Sequence, residues 1–173
     1  MKKTHGKIYV GKYVFLAVII MLAAAAVLPL ILKHAQSDEA QAMKVLTLLA
    51  QNLSKNTDES TASALIKVKS AASAFAYPAT IAMDKYISGT YDEEAMLSTI
   101  GRYRSFIKNA HLSINDPEIK MQNDHAQITF SGKFSGTTKN ALSETIVQDV
   151  TVDFIKLDGQ WKIKNVRFSK VLR

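Results

Sequence analysis

The sequence predicts an α+β fold: a transmembrane helix, then helices packed on a curved antiparallel sheet. Three observations carry this. Nineteen residues between Tyr13 and Lys33 hold no charge, amide or hydroxyl; apolar residues recur every three or four positions from 38 to 109; and from 110 onward they recur every two. Helices first and strands second favour α+β over a parallel βαβ arrangement.

At 173 residues the chain accommodates one domain and one appendage. The net charge of +7 is concentrated in the first 34 residues, where Lys2, Lys3, Lys7, Lys12 and Lys33 face no acid, leaving 17 basic against 15 acidic side chains in the rest. The body therefore lacks the basic stripe of a nucleic-acid binder, and no nucleic-acid partner is expected. The absence of cysteine excludes disulfides, thiolate metal sites and a cysteine nucleophile.

Residues 1–13 read as a cytoplasmic tail and 14–33 as a transmembrane helix in contact with the lipid bilayer, since a span needs about 17–25 apolar residues. A cleaved export signal is the alternative, because Ala23–Ala26 offers small residues, but Val27, Leu28 and Leu30–Leu32 carry the hydrophobicity past them. Four lysines before the segment and one after it place the N-terminus in the cytoplasm and the rest beyond the inner membrane, periplasmic or extracellular.

Residues 34–59 read as a juxtamembrane helix and linker. Asp38 with Gln41 suggests a cap, and Met43, Leu46, Ala50 and Leu53 form a stripe. The polar run 54–60 breaks this helix. The next starts at Ser60 or Thr61 and carries Leu65, Val68, Ala72 and Phe75. Tyr77-Pro78 interrupts it, and Pro78 is expected to open another helix closing at Gly89. A further helix begins at Asp92 with Glu93 and Glu94 at its positive end, burying Met96, Ile100, Tyr103 and Ile107.

Strand periodicity then takes over. "HLSINDPEIKMQ" reads as a strand with a turn at Asn115-Asp116-Pro117, and "AQITFSGKF" turns Ile128, Phe130 and Phe134 to one side. In residues 144–157, Ile146, Val150, Val152 and Phe154 alternate with Asp149, Thr151 and Asp153. A tight turn at Asp158-Gly159 leads into the last strand, whose phase slips between Ile163 and Val166, predicting a bulge near Lys164-Asn165.

Residues 60–173, ending in "FIKLDGQWKIKNVRF", resemble the nuclear transport factor 2-like superfamily, which includes SnoaL-like proteins; the matching residues are Lys156, Asp158, Gly159, Trp161 and Ile163. The resemblance implies a cone-like fold with one pocket between sheet and helices, and homodimerisation through the sheet. It implies no single activity, because this fold hosts isomerases, dehydratases, binding modules and assembly parts. Expected pocket residues are Tyr77, Tyr86, Tyr103, Phe130 and Trp161. Enzymes of this fold need a base facing an oxyanion donor, for which Asp84, Tyr103 and His111 are the candidates. Asp149 and Asp153 fall on the opposite, solvated face.

His5, His34, His111 and His125 show no metal-ligand spacing, so no metal or other cofactor is expected. The function expected is a non-catalytic binding or assembly module of the bacterial envelope, with a homodimer or an envelope protein as partner. A small-molecule isomerase or dehydratase, or a carrier of a hydrophobic ligand, is the alternative.

Overall fold

The computed structural model describes residues 37–83 and 87–169. The tail and the expected span, residues 1–33, lie outside the described residues. Among the described residues no helix is long and apolar enough to cross a membrane.

The chain divides into two units between Ser37 and Asp38, and the second holds every described element. Its helices are α1 (Asp38–Leu53), α2 (Thr61–Ala72) and α3 (Glu93–Phe106). Its strands are β1 (Phe75–Met83), β2 (Ile87–Tyr91), β3 (Ile107–Gln122), β4 (His125–Thr138), β5 (Ser143–Leu157) and β6 (Gln160–Ser169). They form one sheet in the order β2-β1-β6-β5-β4-β3.

The domain starts at Asp38, not residue 60. The helix expected in a juxtamembrane segment buries Ala42, Leu46 and Leu49 in the same core as Phe154, Trp161 and Ile163. Its buried stripe includes Leu46 as expected, but Ala42 and Leu49 replace Met43 and Ala50 as the most enclosed positions. The Asp38 side chain also reaches beyond its own helix. Its carboxylate accepts hydrogen bonds from Lys156 Nζ at 2.6 Å and Trp161 Nε1 at 3.1 Å, fastening the start of α1 to the β5–β6 hairpin. The bond from Lys156, then that from Trp161, holds the Asp38 carboxyl below its ordinary range.

The other helix starts follow their caps. Ser60 Oγ accepts from the Ser63 amide at 3.2 Å, and Asp92 Oδ1 from the Ala95 amide at 2.8 Å. The segment from Pro78 to Gly89 corrects the expectation of a helix: its described part is paired strand. β1 pairs antiparallel with β2 from Ala79↔Tyr91 to Met83↔Ile87, and parallel with β6 through Thr80↔Asn165 and Ile81↔Val166. Ladders on both sides satisfy backbone groups that a helix would have satisfied internally, and Phe75, Ala76 and Ala79 are buried along the strand.

This also corrects the all-antiparallel sheet to a mixed one. After β2 and α3 the chain resumes at the far edge with β3, then meanders back through β4 and β5. It reaches β1 with β6 running in the same direction.

The phase slip in β6 is a bulge. Asp153 pairs with Asn165 and Phe154 with Ile163, leaving Lys164 as the extra residue. Asp116-Pro117 is likewise a bulge within the continuous strand β3, between Asn115↔Ser131 and Glu118↔Thr129. Asp158 and Gly159, with φ of 49° and 75°, make the turn between β5 and β6.

Candidate functional site

A cavity of about 370 Å³ lies between the helices and the inward face of the sheet. Leu46, Leu49 and Leu53 of α1 and Met96, Ile100 and Tyr103 of α3 line one side. Phe130, Gly132 and Phe134 of β4 with Ile146, Val150 and Val152 of β5 form the floor, and Ile81, Met83, Val166 and Phe168 complete it. Its surface is almost wholly hydrocarbon. Thr99 and Gln148 also border it, while alternation along β3 and β4 turns the side chains of Ser113 and Lys133 outward. Exposed Ile146 marks the open side; buried Leu46, Phe75 and Val152 mark the closed one.

The β4 floor has a local pattern, Phe130-Ser131-Gly132-Lys133-Phe134-Ser135-Gly136, in which inward positions alternate phenylalanine and glycine. A Cβ at Gly132 would stand 3.3 Å from Phe130 Cε2, and one at Gly136 only 2.8 Å from Phe134 Cζ. Each ring therefore leans along the strand over the glycine that follows it. A strand glycine commonly marks a close approach, and here the approaching groups are aromatic.

The residues singled out from sequence are dispersed. Tyr103 and Phe130 border the cavity. The Tyr103 ring faces it, but its hydroxyl oxygen is buried without a hydrogen-bond partner. Burial pushes that hydroxyl's pKa up to about 12, so it stays neutral. Tyr77 is not a lining residue; its hydroxyl donates to Ala72 O at 2.6 Å, and burial beside Glu93 and Asp92 raises its pKa to about 12.

Trp161, 2% exposed, is a core residue held by Asp38, with the Lys156 ammonium 5.6 Å from its ring centre. His111 is exposed, between Ala110 and Leu112, which turn inward. It borders a separate open, polar hollow with Ser135 and Thr145, so Tyr103 and His111 do not converge. Asp84 and Tyr86 lie outside the described residues.

On the outer face, Asp149 is exposed and Asp153 is engaged. Burial alone would raise the Asp153 pKa, but hydrogen bonds from Arg167, Gln127 and Asn165 hold it lowered. Among the described residues no cluster of three or more His, Asp or Glu is placed to hold a metal ion.

A charged clasp fixes α3 beside the cavity. Arg104, 3% exposed, pairs with Glu59, which also binds Lys67 at 2.7 Å. Arg104 Nη1 donates to Asn52 O and Ser54 O at the end of α1, at 2.5 and 3.0 Å. Lys55 Nζ donates to Arg104 O and Ile107 O at the end of α3, both at 2.7 Å. Each helix end thus lends a cation to the other's free carbonyls.

No family model and no curated protein matches the chain. Solved structures match it in fold at low identity. A nuclear transport factor 2-like superfamily protein from Salmonella enterica serovar Typhimurium has a TM-score of 0.60 at 12% identity, over 75% of this chain and 88% of that one. A provisionally assigned dehydratase of the same family from Streptomyces avermitilis has 0.61 at 12%, over 77% and 95%. A hexachlorocyclohexane dehydrochlorinase, LinA type 2, has 0.63 at 14%, over 76% and 83%. With three helices closing a curved mixed sheet over one cavity, this chain has the nuclear transport factor 2-like fold.

Proposed function

We infer that the chain is a binding module that holds a small apolar molecule in its cavity and is tethered to the inner membrane by residues 14–33. The observation that carries the binding reading is the lining: a space within the usual range for ligand sites, about 300–1,000 Å³, whose walls are almost entirely hydrocarbon. Such walls reward transfer of apolar surface from water and offer little to a polar molecule. The tether rests on the nineteen uncharged residues and their lysine flanks.

Native mass spectrometry of the purified full chain tests the first part. A co-purified or added hydrophobic molecule should remain bound, and Val150→Phe should reduce its occupancy. If neither kind of molecule is retained, the binding reading fails. Protease treatment of right-side-out vesicles tests the second: the domain should be digested from outside, and protection would overturn the proposed address.

Elimination or isomerisation is the second reading, favoured by a dehydratase and a dehydrochlorinase among the proteins of like fold. That chemistry needs a base within reach of the substrate. Among the described lining residues there is no carboxylate or imidazole, and of the bases singled out from the sequence Asp84 is the one that lies outside the described residues. Asp84→Asn separates the readings: an enzyme loses turnover, whereas a binding module keeps its ligand.

A further inference from the structure

We propose that Gln148 is the specificity-determining residue of the cavity, its carboxamide hydrogen-bonding a carbonyl or hydroxyl of an otherwise apolar, uncharged ligand. This rests on the binding reading above and names the ligand class.

Gln148 interrupts an apolar series. From Ile146 to Phe154 the inward positions of β5 are Ile146, Gln148, Val150, Val152 and Phe154, and the second alone is polar. Cross-strand register surrounds it with hydrocarbon. Phe134 pairs with Ile146 and Phe130 with Val150, while Gly132, the partner of Gln148 itself, contributes no side chain. Gln148 is half-buried, between exposed Ile146 and buried Val150, and its side chain makes no hydrogen bond among the described residues. A leucine or methionine would continue the series without an amide to satisfy, so packing does not account for a glutamine at this point. On the helical wall, the Thr99 hydroxyl of α3 likewise has no hydrogen-bond partner among the described residues.

The amide sets what the cavity accepts. A pure hydrocarbon sealed inside would take the carboxamide from water and leave its donor and acceptor unpaired, a cost that one carbonyl or hydroxyl on the ligand removes. The NH2 group donates to a carbonyl and the oxygen accepts from a hydroxyl, so either group fits. Charged ligands gain no such partner. The one charged residue among the described lining residues, Lys133, turns its side chain outward, so a carboxylate or ammonium would be enclosed without a counter-charge.

The test equilibrates the purified full chain with 2-decanone and decane, with 1-decalone and decalin, and with decanoate. Two skeletons make the outcome independent of ligand shape. Bound probe is counted by gas chromatography as the excess over a protein-free control of the same composition. Gln148→Met should lower the ketone-to-hydrocarbon ratio on the order of tenfold, the size of one lost hydrogen bond, with the melting temperature unchanged or raised. Thr99→Val should lower it less. Decanoate should be retained less than 2-decanone. In the unsubstituted chain the infrared carbonyl stretch of bound, isotope-labelled 2-decanone should move to lower wavenumber than in hydrocarbon solvent, a readout that holds even if the methionine variant melts early.

An unchanged ratio in Gln148→Met, an unshifted stretch, or a larger loss in Thr99→Val than in Gln148→Met overturns the assignment of Gln148 while leaving the binding reading intact. Preferential retention of decanoate overturns the uncharged ligand class. Retention of no probe overturns both this proposal and the binding reading.

Discussion

The Tyr103 hydroxyl is buried beside the cavity with no hydrogen-bond partner. Removing a buried hydroxyl with no partner lifts a desolvation penalty, so Tyr103→Phe should leave stability unchanged or raise it by up to about 1 kcal/mol, measured by urea unfolding. Ligand retention should be unaffected; its loss would mean that the hydroxyl reaches the cavity after all. Glu59 makes the opposite case. Burial would raise its pKa, but hydrogen bonds from Lys67 and Arg104 hold it below the ordinary value of 4.5. A depressed carboxyl stabilises the fold fully above 4.5, and that contribution is lost as pH falls through the folded-state value. The melting temperature should therefore drop as the pH is taken below 4.5, and Glu59→Gln should flatten that slope. Arg104→Ala leaves the buried Glu59 with Lys67 alone and frees the carbonyls of Asn52 and Ser54, with an expected loss of about 3 kcal/mol.

At the scale of elements, the hairpin between β5 and β6 depends on left-handed backbone at Asp158 and Gly159. Gly159→Val should cost about 1–2 kcal/mol in equilibrium unfolding, since a branched residue resists that conformation. This turn, the caps at Ser60 and Asp92, the bulge at Lys164 and the alternation of β5 were all legible in the sequence, because each is a local preference. β1 was not. Its alanines at 76, 79 and 82 favour helix by intrinsic propensity, and its strand conformation is decided by ladders to β2 and to β6, the latter more than eighty residues away. The candidate site was legible only in part for the same reason. Phe130 belongs to a visible alternation, but the cavity is also bordered by Gly132, where the informative feature is a missing side chain, and by helix faces whose partners local spacing does not name.

For the whole molecule, the boundary at Asp38 has a direct test. A fragment beginning at residue 60 lacks Ala42, Leu46 and Leu49 and leaves the core open, so it should show no cooperative thermal transition, whereas one beginning at 37 should. Leu46→Ala in the full chain should cost about 2–5 kcal/mol. The same boundary gives the domain a built-in optical reporter. The indole of Trp161 is the only one in the chain, and its N–H is held by the first residue of α1. Release of that helix should red-shift and dim the intrinsic emission with no label attached. A molecule entering the cavity, whose walls do not include Trp161, should leave the spectrum nearly unchanged.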